Sequence, residues 1–395
     1  MSSPYRSIYP LSIAHLVTDI YMPVITAILP LLIAERGLSF FLAGLMVTSY
    51  NLTSSATQPV FGYLSDRYGK QVHVSTSLLI SAVFISLIGI VTAYPLLLAC
   101  AALAAIGHAC FHPNALSIVS RAADSMNRGK VTAVFVVGGN IGYALGPILA
   151  GGIVYLFGLP GLLVLLIPAA FMALILRKFL PPARAAPADH LPPATSFSLA
   201  DLRPMGLLFA ASTFRAAAVF SAIAFFPPLL ISRGLDIFTA NLLITVMLFA
   251  GVAGQLIGGA LADRYGKKEY TLTGLLCSVP FLILFLRFDG IASVIALILF
   301  GFFLWSSFAV TVAMSHELLP SRVGMASGLM LGVAIGAGGI GVAVNGILAD
   351  TYSLSAALAT IPALILVSAG IILMVRYPWR ALERRGERTG PHFGR

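Results

Sequence analysis

Twelve long apolar runs constrain this chain more than any other feature. They lie near residues 7–34, 39–64, 72–92, 95–122, 129–157, 159–180, 204–232, 237–262, 271–288, 290–316, 323–350 and 354–377. A helix needs about 20 such residues to cross the hydrocarbon core of a bilayer. Hydrophobic residues make up 59% of the 395 and charged ones 10%, against roughly 25% charged in a soluble domain. Water cannot solvate a chain of this composition, so lipid is its solvent. Backbone groups in lipid must bond internally, and long apolar runs therefore read as helices. The period-two alternation of barrel strands does not recur along the sequence. The expectation is an all-α membrane protein with twelve transmembrane helices.

The net charge of +10 is explained by topology, without nucleic acid. With the N-terminus inside, twenty of the 24 Lys and Arg residues fall in cytoplasmic segments and three (Arg36, Arg233, Arg287) in outer loops. That bias places both termini in the cytoplasm. Residues 181–203 hold Pro181, Pro182, Pro187, Pro192 and Pro193 among charges, the composition of a linker. The expected organisation is a six-helix bundle over 1–180, a cytoplasmic linker over 181–203, a second six-helix bundle over 204–377 and a basic cytoplasmic tail over 378–395. Cys100, Cys110 and Cys277 lie in apolar runs without ligand spacing and read as small buried hydrophobes. The first apolar run is too long for a cleavable signal and lacks a processing site. A cell-membrane monomer is expected, with no cofactor.

An internal repeat supports the division into halves. Gly62-Tyr-Leu-Ser-Asp66-Arg67-Tyr-Gly69-Lys70 follows the second run, and Gly259-Ala-Leu-Ala-Asp263-Arg264-Tyr-Gly266-Lys267 follows the eighth, 197 residues on. Gln58 and Gln255 keep the same offset. Two parallel repeats with a site between them are a transporter architecture. The alternative for these loops is a turn plus topogenic charge.

The repeated Gly-x-x-x-Asp-Arg-x-Gly-Lys loop resembles the signature of the major facilitator transporters. The resemblance implies two pseudo-symmetric bundles, a central cavity lined by the first, fourth, seventh and tenth helices, and alternating access. It also implies a conformational latch formed by Gly62, Asp66, Arg67, Gly69 and Lys70 and by Gly259, Asp263, Arg264, Gly266 and Lys267. In the fifth run, Gly142-x-x-x-Gly146-Pro147, continued by Gly151, resembles the antiporter motif of drug–proton exchangers. Ordinary close packing of helices through small residues is the alternative.

Two normally charged residues sit deep in runs: Asp19 in the first and Arg215 in the seventh. A carboxylate or guanidinium there costs about 3 kcal/mol on insertion scales and is a functional hypothesis by default. The repeat offset carries Asp19 to within one residue of Arg215, so a static ion pair between the halves is one reading and coupling or substrate capture another. His15 lies four residues before Asp19 and shares its helix face. His108 and His112 are likewise four apart, beside Pro113, which is expected to break or kink that helix. Histidine beside a carboxylate suits proton transfer near neutrality, so Asp19, His15, His108 and His112 are the proton-coupling candidates. No metal is expected, because neither Cys nor carboxylate neighbours the His108–His112 pair at ligand spacing. Arg215, Asn51, Gln58, Asn140, Tyr143, Gln255 and Trp305 are the substrate-binding candidates; for each alone, inter-helix hydrogen bonding is the alternative.

The Phe-His-Pro-x-Ala element of the fourth run, His-x-x-x-Asp in the first and Gly-Gly-Asn with Gly-Pro in the fifth together resemble the fosmidomycin-resistance branch of the superfamily. That branch exports a small phosphonate antibiotic. Two positions depart from the expected pattern: Asn114 follows Pro113 where an acid is usual, and Leu103 stands where drug–proton antiporters carry an arginine. The reading is a secondary transporter whose partners are a small-molecule substrate, protons and the bilayer, with proton-driven efflux as its direction. A symporter or facilitator importing a metabolite, and a membrane receptor or scaffold, are the alternatives. No nucleophile–base set or phosphate loop points to an enzyme.

Overall fold

A computed structural model describes residues 5–68, 72–122, 128–180 and 199–380. The described residues are helical with short turns between. In chain order the helices are α1 (Tyr5–Ile20), α2 (Val24–Arg36), α3 (Phe40–Tyr68), α4 (Val74–Leu87), α5 (Tyr94–Ala122), α6 (Arg128–Phe157), α7 (Leu166–Phe179, entered through a 3-10 turn), α8 (Leu199–Ser232), α9 (Ile237–Tyr265), α10 (Lys267–Arg287), α11 (Gly290–Ser306), α12 (Phe308–Leu318), α13 (Val323–Ser327), α14 (Ala334–Thr351), α15 (Leu354–Leu358) and α16 (Ile361–Met374). Among the described residues, ten helical stretches are long and apolar enough to span a membrane, and α4 is a shorter apolar helix. The linker expected over 181–203 lies largely outside the described residues, as does most of the tail.

The chain clusters into two compact units. One joins residues 1–192 with 222–245 and 342–357; the other comprises 193–221, 246–341 and 358–395. In the first, α1 lies on α6, and α3, α4 and α5 form a packed layer with α7 against α4; in the second, α10 carries α11 and α16. Lipid as solvent is written on α7. Ala169, Met172, Ala173 and Leu176 are buried, yet Ile167, Phe171 and Leu174 on the other side are about two-thirds exposed. A helix apolar on its exposed face belongs in hydrocarbon.

Several local features depart from the sequence expectations. The run near 7–34 is not one helix: turn residues 21–23 separate α1 from α2. Pro23 lacks an N–H, and its ring crowds the carbonyl four residues back, which is that of Asp19. Met22 N–H instead reaches the Asp19 carbonyl at 3.3 Å. Pro113, in contrast, sits inside a continuous α5, where neighbouring turns hold the helix across it. The run near 290–316 divides at Ser307, and the eleventh run contains a π-helical segment at Gly328–Val333. Gly37 ends α2 at φ 62° and Gly266 separates α9 from α10 at φ 109°, where a side chain would be strained.

Within the first unit, distant segments are tied by polar contacts. Both Asp350 carboxylate oxygens accept N–H bonds at the start of α3, from Phe40 and Phe41, at 2.8 Å each. An anion suits a helix N-terminus. Asn241 Nδ2 donates to Ala27 O at 3.1 Å, and Ile148 N–H to Thr245 Oγ1 at 3.1 Å. Close helix packing rests on small residues. A Cβ on Gly107 would lie 2.5 Å from Ser81 N and 2.8 Å from Ser77 O, so α4 and α5 meet backbone to backbone there, whereas Gly370 has open space. Gly107→Ala should therefore destabilise the protein by about 1–3 kcal/mol, read as a lower midpoint of thermal unfolding in detergent. Gly370→Ala should leave that midpoint unchanged or raised.

Candidate functional site

The polar cluster starts on α1, where the 3.6-residue period sets His15 and Asp19 on one face. Their separation is 3.2 Å from His15 Nε2 to Asp19 Oδ2. Helix α5 presents His108 and His112 to the same carboxylate: both Nε2 atoms lie 3.4 Å from Asp19 Oδ1. The two candidate pairs, far apart in the chain, therefore form one site. His15 Nε2 and His112 Nε2 are 3.2 Å apart. His15 and His108 are buried, and the His112 side chain keeps 23% exposure, the most open of the four.

The ring orientations carry chemical information. His15 Nδ1 lies 2.8 Å from the Phe135 carbonyl oxygen, and His112 Nδ1 lies 3.0 Å from the His108 carbonyl oxygen. A carbonyl only accepts, so both Nδ1 atoms are N–H donors. In neutral rings both Nε2 atoms then carry lone pairs, and these face each other across 3.2 Å beside a carboxylate. Such an arrangement is satisfied by a positive charge shared among them. A proton makes one ring an imidazolium that donates to its neighbour, with Asp19 as counter-ion. The ring of His15 is clamped by stacking on Phe135, centroids 4.2 Å apart. Ser54 Oγ is 3.4 Å from His108 Nδ1, and Tyr50, itself buried, flanks the His108 ring.

Helix α6 approaches this face of α1 because glycines remove the obstruction. A Cβ on Gly138 would meet Ser12 O, on Gly142 Leu16 O, and on Gly146 Ile20 O and the Pro23 ring. Gly142 and Gly146 thus serve α1–α6 contact, and Gly151 meets Asn241 in the same way. Gly139 lies against the cluster itself: its Cβ would fall 2.6 Å from Asp19 Oδ2 and onto the His15 ring. Sequence reasoning missed Gly139, Ser54 and Tyr50; the Gly-Gly pair at 138–139 was the one available signal.

The substrate-binding candidates divide. Asn51 is buried on α3, while Gln58, Asn140, Tyr143 and Gln255 are partly buried and none shows a bond to the cluster. On α3 it is Ser54 and Tyr50, rather than Asn51 or Gln58, that lie against His108. Trp305 is buried against Gly251. Arg215 is 5% exposed on α8, its guanidinium stacks over Phe308 at 5.0 Å, and its Nε is buried without a hydrogen-bond partner. Among the described residues of its unit, no carboxylate pairs with Arg215. Asn114 Nδ2 donates to Val72 O at 2.8 Å, tying α5 to the start of α4, and Leu103 is exposed.

Only the second copy of the repeated loop is described in full. The Asp66 and Arg67 side chains, with Gly69 and Lys70, lie outside the described residues; Gly62 has open space around it, as does Gly259. In the second copy Lys267 Nζ bridges Asp263 Oδ1 at 3.5 Å and Glu317 Oε1 at 2.9 Å. Tyr377 donates to the other Glu317 oxygen. Arg264 lies over the Tyr265 ring. Glu317 and Tyr377 were not foreseen, since they belong to other segments of the chain.

Helices long and apolar enough to span a bilayer, with a buried charge cluster among them, mark a multi-pass membrane protein. The sequence model of the Major Facilitator Superfamily matches residues 11–237 and 208–393, and the chain belongs to that family. It is 32% identical over 360 residues, 87% of this chain and 86% of the relative, to the fosmidomycin resistance protein of Escherichia coli (strain K12). The crystal structure of the nucleoside transporter NupG superposes with a TM-score of 0.75 at 16% identity, covering 96% of this chain and all of that one. A bacterial homologue of the human lysosomal transporter Spinster, inward-facing and occupied, gives 0.77 at 18% identity over 99% of this chain and all of that one. Likeness at these identities shows the fold alone.

The tautomers are open to direct test. Nitrogen-15 NMR of histidine-labelled protein should find Nδ1 protonated on both His15 and His112 at neutral pH; an Nε2–H, Nδ1-bare ring at either would contradict the arrangement. Gly139→Ala should shift the His15 resonances, while Gly370→Ala should not.

Proposed function

We propose that this transporter expels a small anionic organic solute, of the phosphonate kind, in exchange for protons. The observation that carries this reading is the convergence of three imidazoles on the Asp19 carboxylate, with two Nε2 lone pairs facing each other. Three imidazoles around one carboxylate form a path along which a proton can be held and passed on. Asp19 is the counter-charge, His15 and His112 hold the proton between them, and His112, the most open of the four, exchanges it with water.

Arg215 supplies the other half. A buried guanidinium with no carboxylate partner among the described residues of its unit is an anion receptor in want of an anion, and its fork matches phosphonate or carboxylate oxygens. The Escherichia coli relative is a fosmidomycin resistance protein, which points to a phosphonate and to export; coupling rests on the cluster. Alternating access between the two sides of the membrane moves solute and proton in turn. The Asp350, Asn241 and Thr245 ties within the first unit would break whenever access opens on their side, and the Asp263–Lys267–Glu317 network acts as the latch on the other. Twelve spans complete the reading, with α3 and the α4 region added to the ten long apolar stretches. The positive charge bias supports cytoplasmic termini, and the reading takes the cell membrane as the protein's location.

Purified protein in liposomes with an internal pH dye tests this reading. Fosmidomycin added under an imposed proton gradient should drive solute-dependent proton movement. Asp19→Asn should reduce that signal to the level of protein-free liposomes. Solute counterflow with no proton movement, unchanged in Asp19→Asn, would make the protein a facilitator and overturn the coupling assignment. Arg215→Gln should raise the apparent KM for anionic solutes by about 10–100-fold, the loss of charge-assisted hydrogen bonds worth roughly 1.5–3 kcal/mol. Unaltered KM would remove Arg215 from the binding site.

A further inference from the structure

We infer that the cluster at the α1–α5 contact is also a binding site for a divalent first-row transition metal, zinc foremost. Its ligands are His15 Nε2, His112 Nε2 and the Asp19 carboxylate, with His108 Nε2 beside the same carboxylate. The three ligand atoms lie within 4.8 Å of one another. The edges that the structure gives are 3.2 Å between the two Nε2 atoms, 3.2 Å from His15 Nε2 to Asp19 Oδ2 and 3.4 Å from His112 Nε2 to Asp19 Oδ1. A tetrahedral ion with bonds of about 2.0–2.1 Å separates its ligand atoms by about 3.3 Å. The N–N edge and each histidine's shorter edge to the carboxylate, to Oδ2 from His15 and to Oδ1 from His112, are of that length.

Two further observations point the same way. Asp19 Oδ1 and His108 Nε2 are buried and, although 3.4 Å apart, make no hydrogen bond. Two buried polar atoms set side by side without a well-aligned hydrogen-bond partner can both serve as ligands to an ion between them. The outer nitrogens of both principal histidines are also fixed. Phe135 O holds His15 Nδ1–H and His108 O holds His112 Nδ1–H, the outer-sphere contacts that set a metal-binding imidazole in its tautomer and orientation. Two imidazoles and one carboxylate, with no thiolate, suit zinc, cobalt or nickel and disfavour calcium or magnesium. The fourth position falls to His108 or to water. Access runs past His112, whose side chain is 23% exposed. Spacing along the chain argued against a metal because no acid neighbours His108 and His112; the acid arrives from α1. Metal and shared proton would occupy the same lone pairs, so binding of one excludes the other.

The test is titration of the tag-free, full-length protein in detergent with Co²⁺ alone. Its visible d–d absorption distinguishes four-coordinate from octahedral ions. The expected result is one Co²⁺ per chain with intense four-coordinate bands, displaced by stoichiometric Zn²⁺. His15→Gln and Asp19→Asn should each weaken binding by about 100-fold or more, beyond the 10–100-fold typical of outer-sphere changes. His112→Cys keeps a ligand, so it should keep binding and add sulfur-to-cobalt charge-transfer absorption, a result that mere misfolding cannot imitate. His73→Gln, His190→Gln, His316→Gln and His392→Gln should bind as wild type does. Octahedral spectra, no saturable binding by the folded wild type, or binding that survives His15→Gln or falls with the four control variants, would overturn the site. None of these readouts depends on transport.

Discussion

The approach of α6 to α1 is the contact on which the site depends. Glycines on one face of α6 let α1 come where a methyl group would not fit: Gly138, Gly142 and Gly146 meet its backbone, and Gly139 meets the His15 and Asp19 side chains. That approach delivers the Phe135 carbonyl to His15 and stacks the rings, which fixes the tautomer and aims Nε2 at Asp19. In a bilayer, packing rather than hydrophobic burial holds helices together, so small residues at the seam gain van der Waals contact along its whole length. The same seam shields a carboxylate that would be costly to bury alone and leaves its side chain 14% exposed. Structure and function are therefore carried by one surface, and motif glycines such as Gly142 and Gly146 need no direct chemistry to matter.

The break after Asp19 belongs to the same design. Pro23 crowds the Asp19 carbonyl, the helix restarts at Val24, and Gly146 packs on the Pro23 ring. A carboxylate one turn before a break stands on backbone that has already given up regular hydrogen bonding. Small rotations of α1 relative to α2 would change how Asp19 meets the α5 histidines without melting a helix. The π-helical Gly328–Val333 segment offers a similar softness in the second unit, next to Gly324, Gly328 and Gly332, whose would-be Cβ positions meet nothing.

Helical periodicity and composition made the membrane class, the approximate span positions and the pairs His15–Asp19 and His108–His112 legible in the sequence, because each is a local property. Their union was not legible, since no spacing rule relates residue 19 to residue 108. The rule that set aside a metal asks for an acid near the histidines in sequence, and it does not see an acid that another helix brings. Gly139 was visible only as half of a Gly-Gly pair; its role depends on which turn faces Asp19. Pro113 and Pro23 show the same limit from the other side. Both are prolines within apolar runs, yet one is absorbed in α5 and the other ends α1, because the surrounding packing rather than the residue type decides.

The two buried charges differ in their company, and that difference is informative about mechanism. Asp19 is surrounded by groups that accept or release a proton, so its charge can be neutralised in place. Arg215 has an aromatic face at 5.0 Å, which steadies a cation without neutralising it. A guanidinium does not deprotonate in proteins, so within its own unit its charge persists through a transport cycle. A mobile anion could relieve it in each cycle, as the proposed exchange requires, and a mobile cation could do the same for Asp19. A carrier with one fixed positive and one titratable negative site has the minimum equipment for moving an anionic solute against a proton, whichever way the gradient runs.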